Sequence, residues 1–225
     1  METLSSANQD LVQRFTKAGH AITLLNITMD LGVPTVLALA RGAAPEAPGL
    51  VAAAAASLDP EQAVRKSLEE LEHTRAYCQK IKNEQPCLAA DPNHGNVVDQ
   101  ESHLNFWCDS TNLPHAAFLF ASPERQAFAD LANLATGDPG RDLAVLVERV
   151  RAVHHQVLLC DLTTPDVGEL GLAVVRALIP GFHPLQIGHH LRSLGSRRLW
   201  EVPRQLGYAG ISPASGDNPY PHPYP

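Results

Sequence analysis

The stretch "SLDPEQAVRKSLEELEHTRAYCQKIK" constrains the chain most. Asp59 followed by Pro60 puts a capping acceptor directly before a residue whose fixed φ suits the first helical position. Gln62, three residues after Asp59, completes a capping-box pattern. The spacing predicts a helix over about 60–82. Along it Val64, Leu68, Leu71 and Cys78 fall on one apolar stripe. Lys66, Glu70, His73 and Tyr77, at i, i+4, i+7 and i+11, share a second, polar face. A helix of that length with one apolar face needs a layer to pack against.

The rest of the chain supplies candidates for that layer. "NQDLVQRFTKAG" has helical spacing at Leu11, Phe15 and Ala18 and ends at a glycine. In "AITLLNITMDLGVPTVLALA" two short apolar runs, 22–27 and 35–38, flank a break at Asp30-Leu-Gly-Val-Pro34 and read as strand, turn, strand. "CQKIKNEQPCLAADPNHGNVVDQ" is polar and punctuated, so a loop is expected. "HAAFLFAS" reads as a short strand, 142–153 as a helix, "HQVLLCDLT" as a buried strand and "GLAVVRALIPG" as another strand. Strands interleaved with helices predict an α/β (α+β) fold, a mixed sheet with flanking helices. Residues 1–212 are expected to form one body, and 213–225 a proline-rich tail.

Composition excludes several functions. A net charge of −7 gives no electrostatic footprint for nucleic acid or anionic lipid. No apolar run reaches the ~18 residues of a membrane span, and the N-terminus has no basic region before an apolar stretch. Cys78, Cys87, Cys108 and Cys160 include no CxxC pair, which suits reduced thiols and a cytoplasmic location. No P-loop, dinucleotide-binding glycine motif, nucleophile elbow or HExxH zinc motif occurs. The paired histidines 154–155 and 189–190 cannot chelate as pairs, because neighbouring side chains point apart. Arg197 and Arg198 precede an apolar Leu-Trp pair. Their guanidinium forks suit phosphate or carboxylate, and a plain surface pair is the alternative.

Six stretches, in order, resemble the YcaO-type cyclodehydratases, especially the branch that makes thiazole/oxazole-modified peptides. "ITLLNITMDLGVPTVLALA" resembles that family's strand–T-x-D-x-G-[IV]-P–strand signature. "AAAASLDPEQAVRKSLEELEHTR" resembles its alanine-rich segment and glutamate-bearing helix. "SHLNFWCD" is similar to its "DH…FY" segment, and "CDLTTPDVGELGLAVVRALIPGFHPL" to its "D-[IVL]-T-x-x-D…V-V-[RK]…P-G" segment. "GSRRLWEVPRQLGY" is similar to its "[KR]-R-L-Y-E-V-P…L-G" segment, and the ending "NPYPHPYP" to its "N-P-x-P-H-P-[FY]-P" tail.

The resemblance implies ATP-dependent cyclodehydration of a ribosomal precursor peptide. A Cys, Ser or Thr side chain attacks the preceding carbonyl, the amide oxygen takes the γ-phosphate, and loss of phosphate leaves an azoline. It further implies ATP and Mg²⁺ as cofactors, Glu70 as the metal-side residue, and His73, Arg197 and Arg198 as cofactor-binding residues. The α-carboxylate of Pro225 becomes a candidate base near the reacting amide, on a stiff tail whose removal is expected to spare the fold. The implied partners are the precursor peptide, a leader-peptide-binding partner protein or an N-terminal YcaO half, and a second copy in a homodimer. Two positions depart from the family helix, E-x-x-x-E-x-x-Q: Lys66 stands at the first acidic position and His73 at the glutamine. Nothing like the family's S-x-x-E-x-x-E-R motif precedes residue 20, so the chain is expected to be a C-terminal portion of the domain. On that reading the isolated chain should hold Mg-ATP weakly. A non-catalytic docking module is the alternative.

Overall fold

The computed structural model of the chain describes residues 1–208 and 211–224. Helix α1 (Ser6–Lys17) leads into strands β1 (His20–Asn26), β2 (Thr35–Gly42) and β3 (Leu50–Ala56), then helix α2 (Pro60–Glu84). The strands form one antiparallel sheet in the order β1-β2-β3, with Leu25 opposite Leu37 and Ala38 opposite Ala53. The break between β1 and β2 is a turn in which the Gly32 amide donates to the Met29 carbonyl (2.9 Å). Gly32 has φ +63, a left-handed conformation that glycine adopts without the penalty a side chain would meet.

Period-two alternation sends the two faces of this sheet into two different cores. Val36, Ala38, Ala40, Val51 and Ala53 face α1 and α2, where they meet Phe15 and the stripe Val64, Leu68, Leu71, Cys78. All four stripe residues are buried, as the sequence spacing predicts. The opposite face, built from Leu37, Leu39, Leu50 and Ala52, meets Phe106, Trp107 and Ala116. Tyr220 and Tyr224 of the tail pack on that second core, and Pro221 is fully buried. The tail is therefore part of the fold's packing, not the detachable spacer expected from its composition.

Helix α2 starts where the sequence places it. Asp59 is extended (φ −94, ψ 115), and its carboxylate accepts from the Glu61 amide at 3.0 Å. Glu61 in turn accepts from the Ser5 hydroxyl (2.6 Å) and from the Asn8 carboxamide, which fastens α1 to α2. The reciprocal capping box closes on α3 (Gln100–Cys108), where Asp99 and Ser102 exchange hydrogen bonds. Asp59→Ala is expected to lower stability by about 1 kcal/mol, and Asp59→Asn to retain most of it. Chemical-denaturation midpoints check this.

Beyond α3 the expectations need correction. Of residues 115–122, expected as a strand, 115–120 belong to a run of 3₁₀ turns, Ser110–Phe120. That run supplies Leu113, Leu119 and Phe120 to the second core. Helix α4 (Pro139–Ala152) is followed by β4 (Leu158–Asp161), α5 (Pro165–Glu169), β5 (Val175–Leu178) and α6 (Arg197–Gln205). β4 and β5 pair antiparallel in a separate two-stranded sheet. The chain thus has the expected α+β class, but its described strands pair antiparallel where a mixed sheet was expected. The strand expected to be buried is exposed along its length, as is its partner. Leu158 and Leu159 point to opposite faces, and neither face is covered by another layer among the described residues. All four cysteines are free thiols, Cys78 and Cys108 buried.

Candidate functional site

The outward face of α2 and the open edge of β3 bound a cavity of about 550 Å³. Ala53, Ala54 and Ala55 line its floor, Lys66, Glu69, Glu70 and His73 one wall, and Leu185 and Tyr224 the other. Helical spacing explains the polar wall, since residues three and four apart on α2 share a face. Tyr224 comes from the opposite side of the sheet, carried around the β3 edge by the tail.

Two carboxylates in this wall differ in their neighbours. Glu69 accepts from the Arg65 guanidinium at 3.0 Å. Among the described residues Glu70 pairs only with the His73 imidazole, 3.9 Å away. Its side chain is 53% exposed. Lys66 has no ion pair among the described residues, so its ammonium is free to meet an anion. Tyr77, the fourth member of the polar stripe, donates to Glu101 at 2.7 Å and does not line the cavity. That hydrogen bond holds the Tyr77 phenol above its ordinary range. Burial likewise pushes the Tyr224 phenol up, so it enters the cavity as a neutral donor.

The remaining predicted site residues lie elsewhere. The Arg198 guanidinium donates to the Asp30 carboxylate at 2.7 Å and stacks 4.3 Å over the Phe182 ring. Arg197 pairs with Glu201 one turn along α6. Neither arginine lines the cavity. Pro225 lies outside the described residues. Glu69 and Tyr224 were missed by sequence reasoning. Glu69's only signal was its place beside Glu70, and nothing local ties Tyr224 to α2.

The donor set suits Mg²⁺ held together with a nucleotide. Among the described residues no group of three or more His, Cys, Asp or Glu side chains forms a metal cage. Mg²⁺ commonly takes one or two protein carboxylates, here available from Glu69 and Glu70 at an open cavity, and completes its shell with phosphate and water. The volume falls within the range of small-molecule sites.

Residues 3–183 match the family model described as a YcaO cyclodehydratase that binds ATP and Mg²⁺. The chain belongs to the YcaO cyclodehydratase family. The α2 wall of the cavity lies inside the matched span; the arginine pair and the tail lie beyond it. An uncharacterized protein of Methanothermobacter thermautotrophicus is 28% identical over 192 residues, 81% of this YcaO chain and 46% of its own length. A heterocyclase solved in complex with substrate and cofactor shares the fold with TM-score 0.73 and 20% identity, covering 98% of this chain and 28% of its own. The heterocyclase TruD gives 0.66 and 22% over the same shares. This chain thus spans about half of the curated relative and little more than a quarter of each solved heterocyclase.

Proposed function

We propose that this chain carries part of the site of an ATP-dependent cyclodehydratase, one that converts Cys, Ser or Thr of a precursor peptide into azolines by amide phosphorylation. The observation that supports it most is convergence. The last described residue of the tail, Tyr224, lines the same cavity as Lys66, Glu69, Glu70 and His73. When bound, Mg-ATP supplies the phosphoryl group and neutralises the charge that develops during its transfer. Glu70, with Glu69 beside it, would hold the metal, and Lys66 would meet a phosphate oxygen directly. His73 lies next to Glu70 and can donate to the same anionic region. Tyr224 bounds one side of the cavity.

The chain acts, on this reading, together with an N-terminal YcaO half or a leader-peptide-binding partner. The uncovered faces of β4 and β5, with Leu158, Leu159, Val174 and Val175 exposed, fit a surface that such a half packs against. A second reading, a non-catalytic module that docks peptide or partner protein, is favoured by one observation: Arg198 is already satisfied by Asp30 and Phe182. The deciding experiment co-expresses the chain with an N-terminal YcaO half and a Cys-containing precursor peptide. Loss of one water per ring, dependent on ATP and Mg²⁺ and read by mass spectrometry, is the expected result. An unmodified peptide, bound by the complex with the same affinity with or without Mg-ATP, would leave the docking module standing.

A further inference from the structure

The tail reaches the cavity through a chain of specific contacts. Arg192 pairs with Asp217 at 2.7 Å, fixing its start. Tyr220 stacks on His115 with ring centroids 3.9 Å apart. The Trp107 indole donates to the Pro221 carbonyl (3.0 Å), and His222 stacks on His103 at 3.8 Å. His103 Nδ1 lies 3.0 Å from the His222 carbonyl, and His222 Nε2 lies 2.7 Å from the Gln186 carbonyl. A carbonyl only accepts, so both ring nitrogens carry the proton in the neutral tautomers.

The remaining nitrogens are the informative ones. Among the described residues His103 Nε2 and His222 Nδ1 are buried with no partner, as is Nδ1 of His189, whose ring centroid is 6.4 Å from that of His103. As lone pairs they are tolerated. A second proton on His103 would create an N–H donor with no acceptor among the described residues, inside a site where the residue is 0% exposed. We propose that His103 is the positioning residue of the C-terminal tail, seating Tyr224 at the Glu70 cavity while its imidazole is neutral and releasing the tail when it takes a second proton. That the seated tail serves ring formation rests on the function proposed above; the seat itself does not.

The charges around His103 agree with this. Burial, then the like charge of His222 and of His189, hold its imidazole down at about 4, opposed by the His222 carbonyl and by Asp99 at the start of α3. His189 is lowered too, by burial first and then by Arg192 and His94, against Asp217. Releasing the tail exposes His103 and returns it towards the ordinary imidazole value of about 6.5. The released state therefore binds the extra proton first. The seat is fully favoured above pH 6.5 and weakens as pH falls towards 4. The gap between the two values allows the seated-to-released ratio to drop up to about 300-fold across that window.

The chain holds two tryptophans, so Trp200→Phe leaves Trp107, under the tail, as sole reporter. Acrylamide quenching of Trp107 is followed as pH falls from about 8 to about 4, with far-UV circular dichroism in parallel. Trp107 is expected to become quenchable inside the window while helicity holds. His103→Gln keeps a donor for the His222 carbonyl but does not titrate, so it should keep Trp107 shielded at about pH 5. Three results overturn the proposal: unchanged quenching throughout, the same profile in His103→Gln, or helicity lost along the same curve as the shielding. None of these readings requires turnover, so a failure to form azolines leaves the seat untouched.

Discussion

Glu70→Gln is expected to slow ring formation about 10²- to 10³-fold in the cyclising assembly, the typical loss when one electrostatic stabiliser of a developing charge is removed. The carboxamide keeps the shape of the side chain and removes its charge from the α2 wall. Folding should hardly notice. Glu70 is more than half exposed and its only ionic neighbour among the described residues is an exposed histidine 3.9 Å away, so stability should stay within about 0.5 kcal/mol. A rate loss without a stability loss therefore points to the reaction and not to the fold. Glu69→Gln should cost less, because Arg65 already draws on that carboxylate. The Mg²⁺ concentration needed for half-maximal rate should rise in Glu70→Gln. Unchanged turnover together with an unchanged Mg²⁺ requirement would return Glu70 to the role of a solvated helix residue.

What could be read from the sequence was whatever depends on local spacing. The α2 stripe and its Asp59 start follow from a 3.6-residue period and a capping side chain, and both are where the spacing puts them. The grouping of Lys66, Glu70 and His73 follows from the same period. β3 was not legible, because "LVAAAAA" has poor strand propensity. Its alanines make sense only once α2 and α3 pack on opposite faces of the sheet, where Ala52 and Ala53 are buried. The apolar run in β4 reads as buried because hydrophobicity reports the tendency to be covered, not whether a cover is present. The tail was misjudged for a related reason. Proline spacing describes its stiffness, but its place in the core is decided by Trp107 and His103, more than 110 residues earlier in the chain.

Long-range pairing also decides the role of Arg198, and its test should have the second large effect. Asp30 sits in the β1–β2 turn and Arg198 at the start of α6, 168 residues apart. Their side chains are only 14% and 17% exposed, and the guanidinium lies over Phe182. α6 has few other ties, Val202 being its one buried residue among those described. Removing one partner of a buried pair leaves an unpaired charge in poor solvent, which costs about 3–5 kcal/mol. Partial exposure places this pair at the lower end, so Asp30→Asn and Arg198→Met should each lose about 3 kcal/mol. The double variant buries no unpaired charge, so it should lose clearly less than the sum of the two. Urea-denaturation midpoints of the four proteins give the coupling directly. A phosphate-binding Arg198 would behave differently: both single variants would hold their stability within about 0.5 kcal/mol, and Arg198→Met would lose nucleotide affinity while Asp30→Asn kept it. Strong coupling instead assigns the arginine to the fold. Among the described residues Lys66 is then the cation left facing the cavity.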